Sequence, residues 1–351
     1  MIPIDLDNIH LYGRADRKDM AQLLWNVPQD CLRGWHAAHD FALPKETSGA
    51  KRVLILGMGG SAIAGDFIQP LAQAPVQLCR ELALPPGVDG DTLVIASSFS
   101  GNTEETLSSF GQAMETPAKK MAVAGGGELA EVCQAQGIPL LTINHPGPPR
   151  CTLAFASTAL AGIMARLGLL RLTKSEVEET ARLLETMVKE LDVTSPVAKN
   201  PAKALAGKLY GKIPIIYGGD HLAPVARRWK CEFNENAKQW SFYEIVPEAG
   251  HNAVVGYVYP RGMNMNVVGV MLHSAEMHPR VDVRMHATQE IMERYGVPYE
   301  KVEARGTGRL AQMLSLTLLG DYTSYYLAIL NQIDPTPVEI IDWLKKRLTE
   351  G

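Results

Sequence analysis

Arg52-Val-Leu-Ile-Leu-Gly-Met-Gly-Gly-Ser-Ala-Ile-Ala-Gly-Asp66 is an apolar run that stops at glycines and resumes as a helical stretch through Phe67 and Ile68. A short apolar run bounded by a Gly-rich turn reads as a strand buried on both faces. The glycines let the backbone turn tightly and approach a ligand. A helix starting there aims its free N–H groups at any anion in the turn. A dinucleotide fold is the alternative, because Gly57, Gly59 and Ala62 fit GxGxxA and Glu81 lies at a plausible ribose-binding distance. A purely structural glycine turn is the bland reading. No lysine follows the glycines, which argues against a nucleotide-triphosphate loop.

The next strong signal lies downstream. Thr92-Leu-Val-Ile-Ala96 leads into Ser98-Phe-Ser-Gly-Asn-Thr-Glu-Glu-Thr106 and a further helix. Ser98, Ser100 and Thr103 supply three hydroxyls beside helix N-terminal amides, a neutral donor cluster suited to a small phosphate dianion without a metal. A Ser/Thr N-cap would account for one of these hydroxyls, not all three. Two such loops at the carboxyl ends of neighbouring strands would surround one phosphate, which decides against the dinucleotide.

Further strands are expected around Val76 to Leu78, Lys120 to Ala124 and Pro139 to Ile143. Short apolar strands alternating with helical stretches predict a doubly wound parallel α/β sheet. A second block repeats the pattern. Lys212-Ile-Pro-Ile-Ile-Tyr-Gly-Gly219 is again a strand ending in glycines, and Asn264 to Met271 again enters a polar loop, with a helix from roughly Thr288 to Tyr295. The two blocks suggest an internal duplication with little residue identity. The expected organisation is a helical arm over 1–48, a first domain over 49–170 and a helical linker over 171–208. A second domain over 209–331 and a C-terminal turn and helix over 332–351 follow. Thr173 with Glu176, and Ser175 with Glu178, both fit capping boxes at the start of the linker helix.

Composition bounds the partners. The chain has 351 residues, enough for two cores, and its 46% hydrophobic and 21% charged content is that of an ordinary globular protein. A net charge of −4 with scattered Lys and Arg argues against nucleic acid. Asp5 and Asp7 interrupt the start where a signal peptide would need an apolar stretch, and Ser157, Thr158 and Arg166 interrupt the apolar segment Leu153 to Leu170. No membrane partner is expected. The cysteines Cys31, Cys79, Cys133, Cys151 and Cys231 are odd in number and widely spaced, as reduced cytoplasmic thiols would be.

Taken together, GMGGSAIAGD from Gly57, SFSGNTEET from Ser98, FNENAK from Phe233, PEAGHNAVVG from Pro247 and GDYTSYYLAILNQIDPTPVE from Gly320 resemble the bifunctional phosphoglucose/phosphomannose isomerases. Members of that family carry two sugar isomerase (SIS) domains of flavodoxin-like type. The resemblance covers most of the chain, and the pairing of NENAK with HN is its most specific part. It implies an aldose–ketose isomerase acting on a hexose 6-phosphate, without cofactor or metal. Gly60, Ser61, Ser98, Ser100 and Thr103 would hold the phosphate. Glu235 would move the proton between C2 and C1 through a cis-enediol, His251 would open the sugar ring, and Arg150 would steady the enediolate. Lys345, or its neighbour Lys346, would approach the sugar. The resemblance also implies a homodimer in which the histidine serves the partner's site. Ala249-Gly250 departs from the bulkier Met-Asn-like pair expected before the histidine.

Two other readings explain less. A non-catalytic SIS sugar-phosphate sensor accounts only for the loops, and a nicotinamide dehydrogenase only for GxGxxA. The preference between glucose and mannose epimers lies below what motifs resolve. His273, His278 and His286, with Glu276, lack a tight metal-ligand spacing and are expected on loops and helix surface.

Overall fold

A computed structural model describes residues 4–349. Strands β1 (Arg52–Leu56), β2 (Val76–Cys79), β3 (Thr92–Ser98), β4 (Lys119–Ala124) and β5 (Leu140–Thr142) form one sheet in the order β2-β1-β3-β4-β5. Every pairing in it is parallel. That is the flavodoxin-like order, and its reversal point lies between β1 and β3. β3 is buried at each of its seven positions, which is why its sequence is apolar without alternation.

Strands β6 (Ile213–Gly219), β7 (Phe242–Val246), β8 (Val267–His273) and β9 (Tyr299–Glu303) form a second parallel sheet in the order β7-β6-β8-β9. This is the first order with one strand fewer, so the repeat expected from the sequence is a repeat of topology. β8 holds the place of β3 and is likewise buried throughout.

The chain divides into two compact units that interleave along the sequence. One comprises Asn26–Glu185 with Arg305–Leu314; the other comprises Thr186–Ala304, Ser315 onward and the N-terminal segment up to Trp25. In the first, Leu54, Leu56, Val94 and Ala96 of the sheet pack with Phe110, Leu129 and Cys133 of the helices on one face. In the second, Trp229 and Phe233 of the helix Ala223–Glu235 are fully buried, with their rings 5.8 Å apart.

Three local expectations are sharpened. Of the two possible capping boxes, Thr173 forms one: its N–H donates to Glu176 Oε2 at 2.7 Å, and Glu176 N–H donates to Thr173 Oγ1 at 3.3 Å. The helix expected from Thr288 begins at Pro279, because His278 accepts from Arg280 N–H as N-cap and proline fits the first turn. His273, expected on a loop or helix surface, is instead a buried residue ending β8. The cysteines are free thiols. Among the described residues, no helix is long and apolar enough to cross a membrane.

Candidate active site

The Gly-rich turn and the hydroxyl-rich loop emerge from β1 and β3, adjacent strands paired Leu56 to Ala96, at the reversal point of the first sheet. The helix Gly59–Ile68 starts after Met58 with no side-chain cap, so its leading amides face the loop mouth. Ser61 Oγ accepts from Phe99 N–H at 3.1 Å and ties the two loops together. Across the turn, a Cβ added at Gly60 would lie 3.1 Å from Pro149 O, so the Pro149–Thr152 turn is packed against the same helix end.

Inside the second loop, Ser98 is buried. Its Oγ lies 2.9 Å from Thr103 Oγ1 and accepts from Gly101 N–H at 3.1 Å. Thr103 occupies the N-cap position of the helix Glu104–Met114, yet its hydroxyl turns to Ser98 rather than to that helix's amides. Ser100 is exposed at the rim, accepting from Asn102 N–H at 3.2 Å. Gly101 has φ +71°, and a Cβ there would fall 1.7 Å from Gly126 O, so the loop can close only on glycine. The arrangement brings the hydroxyls of Ser61, Ser98, Ser100 and Thr103 and the N-termini of two helices to the carboxyl ends of β1 and β3.

Arg150 is buried in the Pro149–Thr152 turn. The segment leading to it is anchored by His145, whose Nε2 meets Asp30 Oδ2 at 2.9 Å while its Nδ1 accepts from Gly147 N–H at 3.0 Å. Those two contacts set the tautomer, with the proton on Nε2. Arg33 adds a bond from its guanidinium to Asn144 O at 3.1 Å. Sequence reasoning missed this anchor because Asp30 and His145 are 115 residues apart and only the fold brings them together.

Glu235 is the half-buried last residue of the helix Ala223–Glu235. Directly behind it runs a buried polar chain. Arg228 pairs with Glu232 one turn on, and its Nε and NH2 meet Asp321 Oδ1 and Oδ2 at 3.2 Å each. Asn236 Nδ2 donates to Glu232 Oε2 at 2.7 Å and to Ser324 Oγ at 2.9 Å. The chain after Glu235 is held too: Lys238 Nζ donates to the carbonyls of Asp334 and Pro335 at 2.9 and 3.1 Å. The i, i+4 spacing of Arg228 and Glu232 was readable in the sequence; their link to Asp321 was not.

His251 is exposed and ends the short turn Glu248–His251, just beyond the carboxyl end of β7. Ala249, the departure before it, is buried and small enough to fit there. Glu235 stands at the other edge of the same sheet. The helix carrying it runs antiparallel to β6, and Gln239, four residues on, donates to Leu209 O and Lys212 O at 2.9 and 2.8 Å, just before β6 begins. Lys345 and Lys346 are exposed on the helix Glu339–Thr349.

Comparison with known proteins gives one family and a set of relatives. The family described as the bacterial phospho-glucose isomerase C-terminal SIS domain matches residues 198–348. A bifunctional phosphoglucose/phosphomannose isomerase of Caldicellulosiruptor bescii is 37% identical over 336 residues, covering 94% of this chain and 99% of that protein. A D-glucosamine-6-phosphate 4-epimerase of Sulfolobus acidocaldarius is 31% identical over 232 residues, 65% of this chain and 72% of that one. Among solved structures, a glucose-6-phosphate isomerase like protein from Thermus thermophilus shares the fold with a TM-score of 0.67 at 18% identity, over 98% of this chain and 99% of its own.

Proposed function

Because the chain belongs to the bifunctional phosphoglucose/phosphomannose isomerase family, we propose that it interconverts glucose 6-phosphate and mannose 6-phosphate with fructose 6-phosphate. The observation that carries this reading is the pair of loops tied through Ser61 and Phe99 at the reversal point of the first sheet. Hydroxyls and helix N-termini there suit a phosphate dianion without a metal. Ser100, Ser61 and the amides of Gly59 and Gly60 contact the phosphate; Ser98 and Thr103 brace the loop that presents them.

Glu235 is the base. It takes the proton from C2 of the open-chain aldose and returns it to C1 through a cis-enediol, while the O2 hydroxyl proton passes to O1, so protons and electrons balance. A half-buried carboxylate that ends a firmly anchored helix suits this role, since its position is set by the helix rather than by a loop. His251 transfers a proton at the ring oxygen to open the sugar. Arg150, always charged, steadies the enediolate oxygen. Lys345 or Lys346 contacts the sugar hydroxyls.

The working unit is a homodimer with a shared site. Ring opening and enolisation occur on neighbouring atoms of one hexose, yet Glu235 and His251 stand at opposite edges of one sheet. β7, with five residues, separates those edges by roughly 17 Å. A histidine from the partner subunit removes that separation.

The direct test is incubation of the tag-free protein with fructose 6-phosphate and no added cofactor, after exhaustive EDTA treatment. Both glucose 6-phosphate and mannose 6-phosphate should form at the untreated rate. No conversion under these conditions would sink the isomerase reading; loss of turnover on chelation, restored by one divalent ion, would replace the enediol route with a metal-dependent hydride shift.

A further inference from the structure

At the carboxyl edge of the second sheet, three ligand-type side chains converge. His273 ends β8; Asp282 and His286 lie one turn apart on the helix Pro279–Tyr295. Among the described residues, these side chains offer one ligand atom each, and the atoms all lie within 4.8 Å of one another. We propose that His273, Asp282 and His286 form a binding site for one borderline divalent transition-metal ion such as Zn2+, which ties the end of β8 to the first turns of that helix.

The distances suit such an ion. Asp282 Oδ1 lies 3.5 Å from His273 Nδ1 and 3.5 Å from His286 Nδ1. Metal–ligand bonds of about 2.0–2.1 Å in tetrahedral arrangement place ligand atoms about 3.4 Å apart, so both edges at the carboxylate are already near the required length. The third edge, between the two imidazoles, closes by rotation of His286. That side chain is 50% exposed, so it has room to turn. The rotation exchanges the His286 Nδ1 contact with Asp282 O, 2.9 Å long, for the metal bond. Two imidazoles and one carboxylate select Zn2+, Co2+ or Ni2+ over Mg2+ or Ca2+, which prefer oxygen alone.

The surroundings are those of a built site rather than a chance surface group. His273 is buried, and Gln289 on the same helix meets its Nε2 at 2.8 Å. That contact holds the ring with Nδ1 turned toward Asp282, and metal binding at Nδ1 requires the Gln289 amide to turn its oxygen to the Nε2–H. Glu303 is the register partner of His273 on β9. Its carboxylate is paired with Lys301 at 2.7 Å.

The test is metal uptake by the tag-free, EDTA-stripped full chain, measured with Zn2+ by calorimetry and with Co2+ by its visible absorption. One ion per chain should bind, the Co2+ spectrum should show nitrogen and oxygen ligation, and Zn2+ should raise the melting temperature. His286→Ala removes an exposed side chain and should fold normally. It should weaken Zn2+ binding at least as much as loss of an outer-shell partner does, about 10–100-fold, and abolish the thermal shift. Asp282→Asn should do the same. If wild type takes up no ion, or His286→Ala binds Zn2+ as tightly as wild type, the site does not exist. Fructose 6-phosphate turnover of His286→Ala should equal that of wild type, which keeps this outcome separate from the isomerase reading.

Discussion

Glu235 sits where a helix ends, and its neighbours explain why a carboxylate can be held steady there. Arg228, Glu232 and Asn236 lie on the same helix face and are buried, so the side chain projects from a rigid base. Glu235→Gln keeps the shape and removes the carboxylate. Turnover should fall by about 10²–10⁴ while fructose 6-phosphate still binds; near-normal turnover would take Glu235 out of the mechanism. Ser98 and Thr103 act at the same scale through a different effect. Their hydroxyls bond each other at 2.9 Å inside the loop. Ser98→Ala and Thr103→Ala should therefore each raise KM for the 6-phosphate several-fold and weaken inorganic phosphate binding, with kcat nearly kept. Unchanged phosphate affinity in both variants would place the anion elsewhere.

At the scale of elements, the helix Ala223–Glu235 is joined to the helix Arg309–Leu330 by charge as well as by apolar packing. Arg228 reaches Asp321 through two bonds of 3.2 Å, and both residues are buried. Removing one partner of such a set leaves uncompensated charge in a low-dielectric interior. Arg228→Ala should lose about 3–5 kcal/mol of unfolding free energy in urea titration. Adding Glu232→Gln and Asp321→Asn to it should recover part of that loss, since the carboxylates no longer carry unpaired charge. A loss that the added changes leave untouched would mean that the guanidinium acts by packing alone. Trp229 belongs to the same joint: its indole N–H donates to Leu316 O at 2.9 Å, which fixes the rotation of one helix against the other.

For the whole molecule the decisive relation is between the two edges of the second sheet. Glu235 and His251 are only 16 positions apart in the chain. The helix brings the chain down to the amino edge, and β7 returns it to the carboxyl edge, so near neighbours in sequence end far apart. A shared dimeric site predicts complementation. Glu235→Gln and His251→Ala proteins should each be nearly inactive. Unfolded and refolded together in equal amounts, they should recover about one quarter of the parent's activity, because random pairing gives half heterodimers with one intact site each. Activity that stays at the level of the two variants, or a fully active monomer at high dilution, would show that each chain serves itself.

Much of this was legible in one dimension, for a physical reason. Strands buried on both faces must be apolar throughout, so β1, β3, β6 and β8 announce themselves. Glycine is required where Gly101 takes φ +71° against Gly126, so the glycine-bearing loops announce themselves too. Local chemistry leaves local marks. Contacts between distant segments leave none. The Asp30–His145 pair behind Arg150, the reach of Arg228 to Asp321 and the convergence of His273 on Asp282 and His286 each join groups that the sequence does not set at any motif's spacing. They exist only once the helices that carry Asp30, Asp282, His286 and Asp321 have packed in the fold. The start of the helix at Pro279 belongs to the same class. Its apolar period is weak at that end, and the N-cap contact of His278 with Arg280 N–H, together with Asp220 Oδ2 accepting from His278 N–H at 2.9 Å, sets where it begins.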